Sequence, residues 1–257
     1  MQGKVAIVTG GAGGIGTAVS LAFSREGVSV AVADRDEDRS KDVVDRIEAS
    51  GGNALAVEVE ITSEQSVNSA MRTAINHFGQ VDFLVHCAGN NIKSPILDLP
   101  AEQWSNVLDT HLTGAFLFSK ALGRHLVDRG EGGRVVFMSS VAANAPVPER
   151  GAYTPAKAGL IGLAGVLSLE WAEHNINVNA ICPGMVLTPM TELVYSREPE
   201  LQAQRLKRMP SGREAYPEEI ADLALFLCSD KAAHINGAAI PIDGGFLNNG
   251  FMLERLP

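Results

Sequence analysis

Tryptophan, tyrosine and cysteine are scarce, at two, three and three of 257 residues. The cysteines, Cys87, Cys182 and Cys228, are odd in number and widely spaced. They exclude a disulfide framework, show no metal-ligand spacing, and point to buried thiols in a reducing, cytoplasmic setting. Basic residues are also few, 21 against 30 acidic, for a net charge of -9. Without a basic stripe to neutralise phosphates, nucleic acid is not the expected partner. No apolar run reaches the ~18 residues that a membrane span needs. The longest candidate, Gly159–Ala172, is interrupted by Ser168 and Glu170. The first residues lack the basic stretch, apolar core and cleavage site of a secretory signal. Internal repeats, low-complexity tracts and linkers are missing as well.

What the chain does contain is a regular alternation of short apolar runs and longer amphipathic ones. Strands are expected at Val5–Thr9, Val28–Ala33, Leu55–Val59, Val81–Cys87, Arg134–Met138, Ile176–Ile181 and Ala238–Ile242. Helices are expected at Ile15–Glu26, Glu37–Ser50, Ser63–Phe78, Ala101–Asp128, Tyr153–Asn175 and Pro217–Cys228. The strand runs are continuously apolar, the pattern of strands covered on both faces of a parallel sheet. Regular βα alternation predicts an α/β fold, either a doubly wound sheet or a closed barrel, and the glycine-rich first loop favours the former. The whole chain reads as a single domain. Residues Thr188–Pro217, with four prolines, read as an irregular segment placed to act as a lid over about 188–216.

Between the first strand and first helix lies Thr9-Gly-Gly-Ala-Gly-Gly-Ile-Gly16. Missing side chains let the backbone approach a pyrophosphate, and N–H groups at the helix start then face the anion. Gly10, Gly13, Gly14, Ile15 and Gly16 are the candidate phosphate-loop residues. Asp34, 18 residues after Gly16, ends the second strand. A carboxylate there can accept from both adenosine ribose hydroxyls and repels a 2′-phosphate; a helix-capping carboxylate is the plainer reading. Arg35 beside it would attract that phosphate. The balance favours NAD over NADP.

Tyr153 and Lys157 stand four apart and share a helix face. A tyrosine hydroxyl titrates near pH ~10, too high for a base at neutral pH. A neighbouring ammonium and an oxidised nicotinamide would lower it, so that Tyr153 exchanges a proton with a substrate hydroxyl as hydride moves on carbon. Ser140, 13 residues earlier at a strand end, can orient the substrate oxygen.

In this order and spacing, Thr9–Gly16, Cys87–Gly89, Ser140, Tyr153 with Lys157, Asn179–Gly184 and Asp243–Gly245 resemble the short-chain dehydrogenase/reductase family. The resemblance covers essentially the whole chain. It implies a Rossmann-like sheet of about seven strands. It also implies NAD(P)-dependent chemistry at a secondary alcohol or ketone, and a homotetramer built on the Ala101–Asp128 and Tyr153 helices. By resemblance, Tyr153 is the acid/base, Lys157 acidifies it and binds the nicotinamide ribose, and Ser140 stabilises substrate. Glu60 and Ile61 would meet the adenine, Cys87, Ala88 and Gly89 would line the cofactor, and Pro183, Gly184, Val186 and Thr188 would flank the carboxamide.

Three positions depart from the family's pattern. His86-Cys87 replaces an Asn-Asn pair, leaving its turn to be held otherwise while Ala88 and Gly89 keep the close approach to the cofactor. Glu60 stands for an aspartate. His111 replaces an asparagine that assists a proton relay to the lysine; a histidine titrates near pH ~6.5, so an altered pH dependence is expected.

Ala142, Asn144, Met185, Met190 and Tyr195, with Asn90, Asn91, Val141 and Leu193, are the expected substrate lining. Their mix of amide and apolar groups suits a polyol, a hydroxy-acid derivative or a cyclic alcohol. Two alternatives remain: a 3-oxoacyl-carrier-protein reductase using NADPH, and a non-catalytic NAD(P)-binding regulator.

Overall fold

The computed structural model describes residues 1–249. From the N-terminus the chain runs β1 (Val5–Thr9), α1 (Gly14–Arg25), β2 (Ser29–Asp34), α2 (Glu37–Ala49), β3 (Ala54–Glu58), α3 (Glu64–Phe78) and β4 (Phe83–His86). It continues through α4 (Ala101–Leu108), α5 (Gly114–Arg129), β5 (Gly133–Met138), α6 (Tyr153–Glu170) and β6 (Ile176–Pro183). The last elements are α7 (Pro189–Arg197), α8 (Pro199–Lys207), α9 (Pro217–Cys228) and β7 (Ala239–Ile242). All seven strands are parallel, in the order β3-β2-β1-β4-β5-β6-β7. The expected doubly wound sheet is therefore present.

Period-two alternation divides β1 between two cores. Val5 and Ile7 pack with Leu84, Phe118, Phe137 and Leu160 on one face. Ala6 and Val8 pack with Phe23, Val30, Ile47 and Ile181 on the other. Phe23, Phe118 and Phe137 are fully buried, and each contributes about 1.5–3 kcal/mol by leaving water. Helix ends follow local chemistry. Asp36 and Ser63 cap α2 and α3 by accepting from Arg39 N and Ser66 N. Gly79 closes α3 at φ 83°, a left-handed backbone that suits glycine.

Strand order reverses between β1 and β4, and a crevice opens beyond the carboxyl ends of strands at such a point. Thr9 and His86, the last residues of these strands, pair in register there.

Three expectations need correction. The single helix expected over Ala101–Asp128 is interrupted by a π-helical turn, Asp109–Thr113, where Gly114 N donates to Asp109 O. The extra residue turns His111 inward, to 2 % exposure. The helix from Tyr153 ends at Glu170 rather than Asn175, whose φ of 57° is left-handed. The segment expected to be irregular holds two helices, α7 and α8. Pro189 and Pro199 each sit at a helix start, where the missing N–H costs nothing, and Thr188 caps the first through Thr191.

At the opposite end of the sheet, Asp82 is 1 % exposed and surrounded by donors. It accepts from Val5 N at 2.8 Å, Gln80 Nε2 at 2.8 Å, Arg129 Nη2 at 3.0 Å and Lys4 Nζ at 3.1 Å. Replacing Asp82→Ala leaves the Val5 strand N–H without its acceptor and strips the partly buried Arg129 guanidinium of one of its two carboxylates, Glu131 being the other. Urea unfolding is expected to show a loss of about 3 kcal/mol.

Candidate active site

The crevice is built from the strand ends inward. After β1, the chain turns at Gly10, whose φ is 62° and where a Cβ would lie 2.7 Å from Ala88 Cα. A Cβ on Gly16 would lie 2.1 Å from Gly10 O, and one on Gly14 would lie 2.9 Å from Thr188 Cβ. The loop is thus closed against β4's extension on one side and against the start of α7 on the other. It presents backbone N–H groups and the N-terminus of α1, a cradle that fits a pyrophosphate. Ile15 lies in the first turn of α1.

Asp34 meets this loop. Its Oδ2 accepts from Ala12 N at 3.2 Å and its Oδ1 from Asp36 N at 3.3 Å. Arg39, which the sequence did not single out, donates to Ala12 O at 2.8 Å. Glu60 is turned onto its own loop: Oε1 accepts from Thr62 Oγ1 at 2.7 Å and from Thr62 N at 3.0 Å, which holds its carboxyl below the ordinary value. Arg35 faces Glu60 and lowers it slightly further. Ile61 is buried and packs where Gly114 lacks a side chain.

The turn after β4 is held by histidine in place of an amide. Thr9 Oγ1 lies 3.0 Å from His86 Nδ1, and His86 Nε2 lies 3.1 Å from His111 O. A neutral His86 that donates from Nε2 and accepts at Nδ1 satisfies both contacts. Burial, helped by the Lys157 charge, depresses its pKa to about 3. Cys87 N donates to Thr9 O at 3.0 Å. Burial pushes the Cys87 thiol up to about 12, so it stays protonated. Gly89 does not simply clear a path for a ligand: a Cβ there would lie 2.2 Å from His111 Cε1, so the imidazole fills that space.

Lys157 is 5 % exposed, and its ammonium donates to Met138 O at 2.6 Å. Ser139 Oγ donates to Lys157 O at 2.8 Å, a second tie between β5 and α6. Burial lowers Lys157 to about 8. Its Nζ lies 5.4 Å from the Tyr153 ring centroid. Ser140 Oγ accepts from Ala142 N at 3.1 Å and faces the Tyr153 hydroxyl. In the protein alone, Tyr153 stands above its ordinary value. Burial raises its pKa, with Ser140 and then Arg150 opposing.

His111 stands edge-on to Tyr153, ring centroids 5.5 Å apart. Its Nε2 donates to Asn90 O at 2.7 Å, which leaves Nδ1 a buried acceptor with no partner among the described residues. Burial first, and the Lys157 charge second, depress its pKa to about 2. A ring titrating near neutral pH is therefore overturned: His111 is neutral at any working pH.

The expected substrate lining is dispersed. Ala142 is buried beside Ser140, while Asn144 and Asn91 are exposed. Asn90 spends its amide on Asn106 Oδ1 and Thr110 Oγ1. Met185 O accepts from Ala215 N, and Met185 lies with Met209, Ser211 and Asp243. Met190 is 73 % exposed on α7. Tyr195 is buried, its hydroxyl bonded to Arg205. Pro183 ends β6, Gly184 packs on Asp243, and Val186 bridges to Ala215. Arg150, three residues before Tyr153, was missed by sequence reasoning because no motif marks it.

A glycine cradle, an acidic strand end and a serine–tyrosine–lysine cluster are arranged around one crevice. The chain belongs to the short-chain dehydrogenase/reductase family. A family model described as enoyl-(acyl carrier protein) reductase matches residues 10–247. An NAD-dependent glycerol dehydrogenase of Listeria innocua is 37 % identical, covering 95 % of this chain and 93 % of that one. A D-threitol dehydrogenase of Mycolicibacterium smegmatis is 36 % identical over 96 % of this chain and 94 % of its own length. The crystal structure of acetoin dehydrogenase from Enterobacter cloacae superposes with a TM-score of 0.88 at 36 % identity, covering 98 % and 99 % of the two chains. The chain is an oxidoreductase acting on CH–OH groups.

Since His111 carries no charge at working pH, its replacement cannot remove a titration. The pH–rate profiles of His111→Asn and the parent are expected to share their midpoints from about pH 5 to pH 9. A limb near pH ~6.5 in the parent alone would contradict the depressed value.

Proposed function

We propose that this chain is an NAD-dependent dehydrogenase that interconverts a secondary alcohol and its ketone through Ser140, Tyr153 and Lys157. The carrying observation is that these three side chains converge at the end of β5, beside the glycine loop. Gly10, Gly13, Gly14, Ile15 and Gly16 would hold the pyrophosphate. Asp34 would accept from the ribose hydroxyls. Cys87 to Gly89, Pro183, Gly184, Val186 and Thr188 would flank the nicotinamide half, and Glu60 and Ile61 the adenine. When bound, the nicotinamide supplies hydride transfer.

The protein's groups manage the proton. In oxidation, the Tyr153 hydroxyl must first lose its own proton in order to take up the one on the substrate alcohol. Burial opposes that loss. A positive pyridinium and the Lys157 ammonium favour it, which gives the lysine its electrostatic purpose. Ser140 donates to or accepts from the substrate oxygen and fixes its distance from Tyr153. Neutral His111 offers Nδ1 as an acceptor near Lys157 without adding charge. The two helices α7 and α8 form the lid.

The relatives' names, glycerol, D-threitol and acetoin, share a hydroxyl next to a second oxygen-bearing carbon. That supports a polyol or hydroxy-acid class. An assembly of several copies is also part of this reading, a homotetramer by family resemblance. Phe116, Val127, Val166 and Leu169 leave apolar area exposed on α5 and α6, which supports it. A reducing cytoplasm is the proposed location.

Tyr153→Phe removes the exchangeable proton but little volume. Turnover of any accepted alcohol is expected to fall by at least about 100-fold, while NAD still binds by fluorescence titration. Retained turnover would remove Tyr153 from the mechanism. Asp34→Ala removes the carboxylate that repels a 2′-phosphate. The NAD-over-NADP preference in kcat/KM is expected to narrow by about tenfold or more. A parent that prefers NADP would overturn the NAD assignment.

A further inference from the structure

Among the described residues, two that are not glycine have a left-handed backbone, Asn175 at φ 57° and Glu149 at φ 62°. Asn175 closes a helical turn, where an asparagine in that conformation is an ordinary device. Glu149 closes no helix. It stands in the segment between β5 and α6, four residues before Tyr153, and is exposed. A left-handed glutamate costs free energy. It persists only where its surroundings over-determine it, and such residues cluster at functional sites.

Those surroundings are the segment between β4 and α4. Ser94 N donates to Glu149 O at 2.9 Å, and Ser94 forms a parallel bridge with Arg150. Lys93 Nζ lies 3.1 Å from Glu149 Oε2. A Cβ on Gly151 would lie 2.6 Å from Ile96 Cδ1, so Ile96 covers that glycine. Ala152 and Ala156 are buried in a small cluster with Val107, against which Ile92, Leu99 and Trp104 pack. One segment, 92–99, therefore grips residues 149–156 by a backbone bridge, an ion pair and apolar contact.

What it grips is the start of α6. Tyr153 is that helix's first residue, and no side chain caps the turn. Helix ends fray unless their free N–H groups find partners. Thr154 N donates to Arg150 O at 3.2 Å, and Arg150 N donates to Val147 O at 3.3 Å. The first turn is thus carried by Arg150, and Arg150 is held by Ser94. A reacting group misplaced by about 1 Å can lose on the order of 100-fold in rate.

We propose that Glu149 is a positioning residue for Tyr153. Its left-handed turn lays residues 149 and 150 onto Lys93 and Ser94, and the strap so formed holds the Tyr153 hydroxyl in its reactive place. The inference rests on the dehydrogenase reading for what Tyr153 does; the strap stands on contacts that need no cofactor. Glu149 acts through its backbone, so its φ matters more than its charge. The ion pair with Lys93 is solvent-exposed and adds little.

The test separates backbone from charge. Glu149→Val, Glu149→Gly, Glu149→Asn and Lys93→Gln are compared with the parent as full chains. Glycine and asparagine accept the left-handed region, and valine does not. One readout is NAD-dependent oxidation of 2,3-butanediol, glycerol and cyclohexanol. The other is amide hydrogen exchange of residues 152–156 by mass spectrometry, with β1 as internal reference. Glu149→Val is expected to lower kcat by about tenfold or more and to leave the KM for NAD within about twofold. It speeds exchange at 152–156 by about tenfold and leaves β1 as in the parent. Glu149→Gly and Glu149→Asn recover kcat to within about threefold of the parent, and Lys93→Gln loses no more than that. Should Glu149→Val fail to fold, Glu149→Ala, less strained, takes its place. A glycine variant as impaired as the valine one, or a valine variant with parental kcat and exchange, overturns the positioning role. So does either readout moving without the other in a parent that turns over alcohol. Exchange that responds as stated, with no alcohol turned over by the parent, keeps the strap and sinks the dehydrogenase. Parental turnover with both readouts unmoved in Glu149→Val does the reverse.

Discussion

A buried ammonium governs this site. Lys157 Nζ sits behind Tyr153 and, among the described residues, has only the Met138 carbonyl as a hydrogen-bond partner, at 2.6 Å. No carboxylate forms an ion pair with it among the described residues. A charge so placed is expensive, which is why its pKa drops to about 8. The cost is tolerable because α6 is clamped to β5 twice over, by this contact and by Ser139 Oγ on Lys157 O. The same clamp carries Tyr153, one turn earlier, to the strand end where Ser140 emerges. The charge acts outward as well. After burial, it is the largest influence keeping His86 and His111 neutral.

Where the family resemblance implies amides, this chain carries two neutral imidazoles. An amide offers an NH2 donor group and an acceptor oxygen; a neutral imidazole offers one donor and one acceptor, in a fixed tautomer. His86 links Thr9 at the end of β1 to the carbonyl of His111, so three elements around the switch point share one hydrogen-bonded chain. The larger ring of His111 needs room. Gly89 supplies it on one side, and the π-turn rotates the side chain toward it. Ring, glycine and π-turn therefore form one structural solution.

The sheet was legible in the sequence because continuous apolar runs between helical periods have few other solutions. The glycine loop was legible because its glycines are needed for close backbone approach, as at Gly10 and Gly16. The serine, tyrosine and lysine were legible only as a set with the other motifs. What was not legible depends on long-range packing. The π-turn shows no periodicity break strong enough to read, since Asp109–Thr113 keeps helical composition. The neutrality of His111 follows from burial beside Lys157, which lies 46 residues further along the chain. The helices α7 and α8 were hidden by a habit of reading proline as a breaker, although Pro189 and Pro199 occupy first helical positions.

Charge balance decides what this phenol can do. Lys157 and Arg150 bring two cations near Tyr153, and an oxidised nicotinamide would add a third. Arg150 lowers the Tyr153 pKa against the effect of burial, which raises it. The two influences oppose each other, so a modest change in nearby charge moves the balance between phenol and phenolate. A positive cofactor would favour the deprotonated form that takes up a proton in oxidation, and a neutral reduced one would favour the protonated form that gives it back in reduction. The direction of proton transfer would then follow the charge on the cofactor, because burial leaves Tyr153 no other source of stabilisation for its anion.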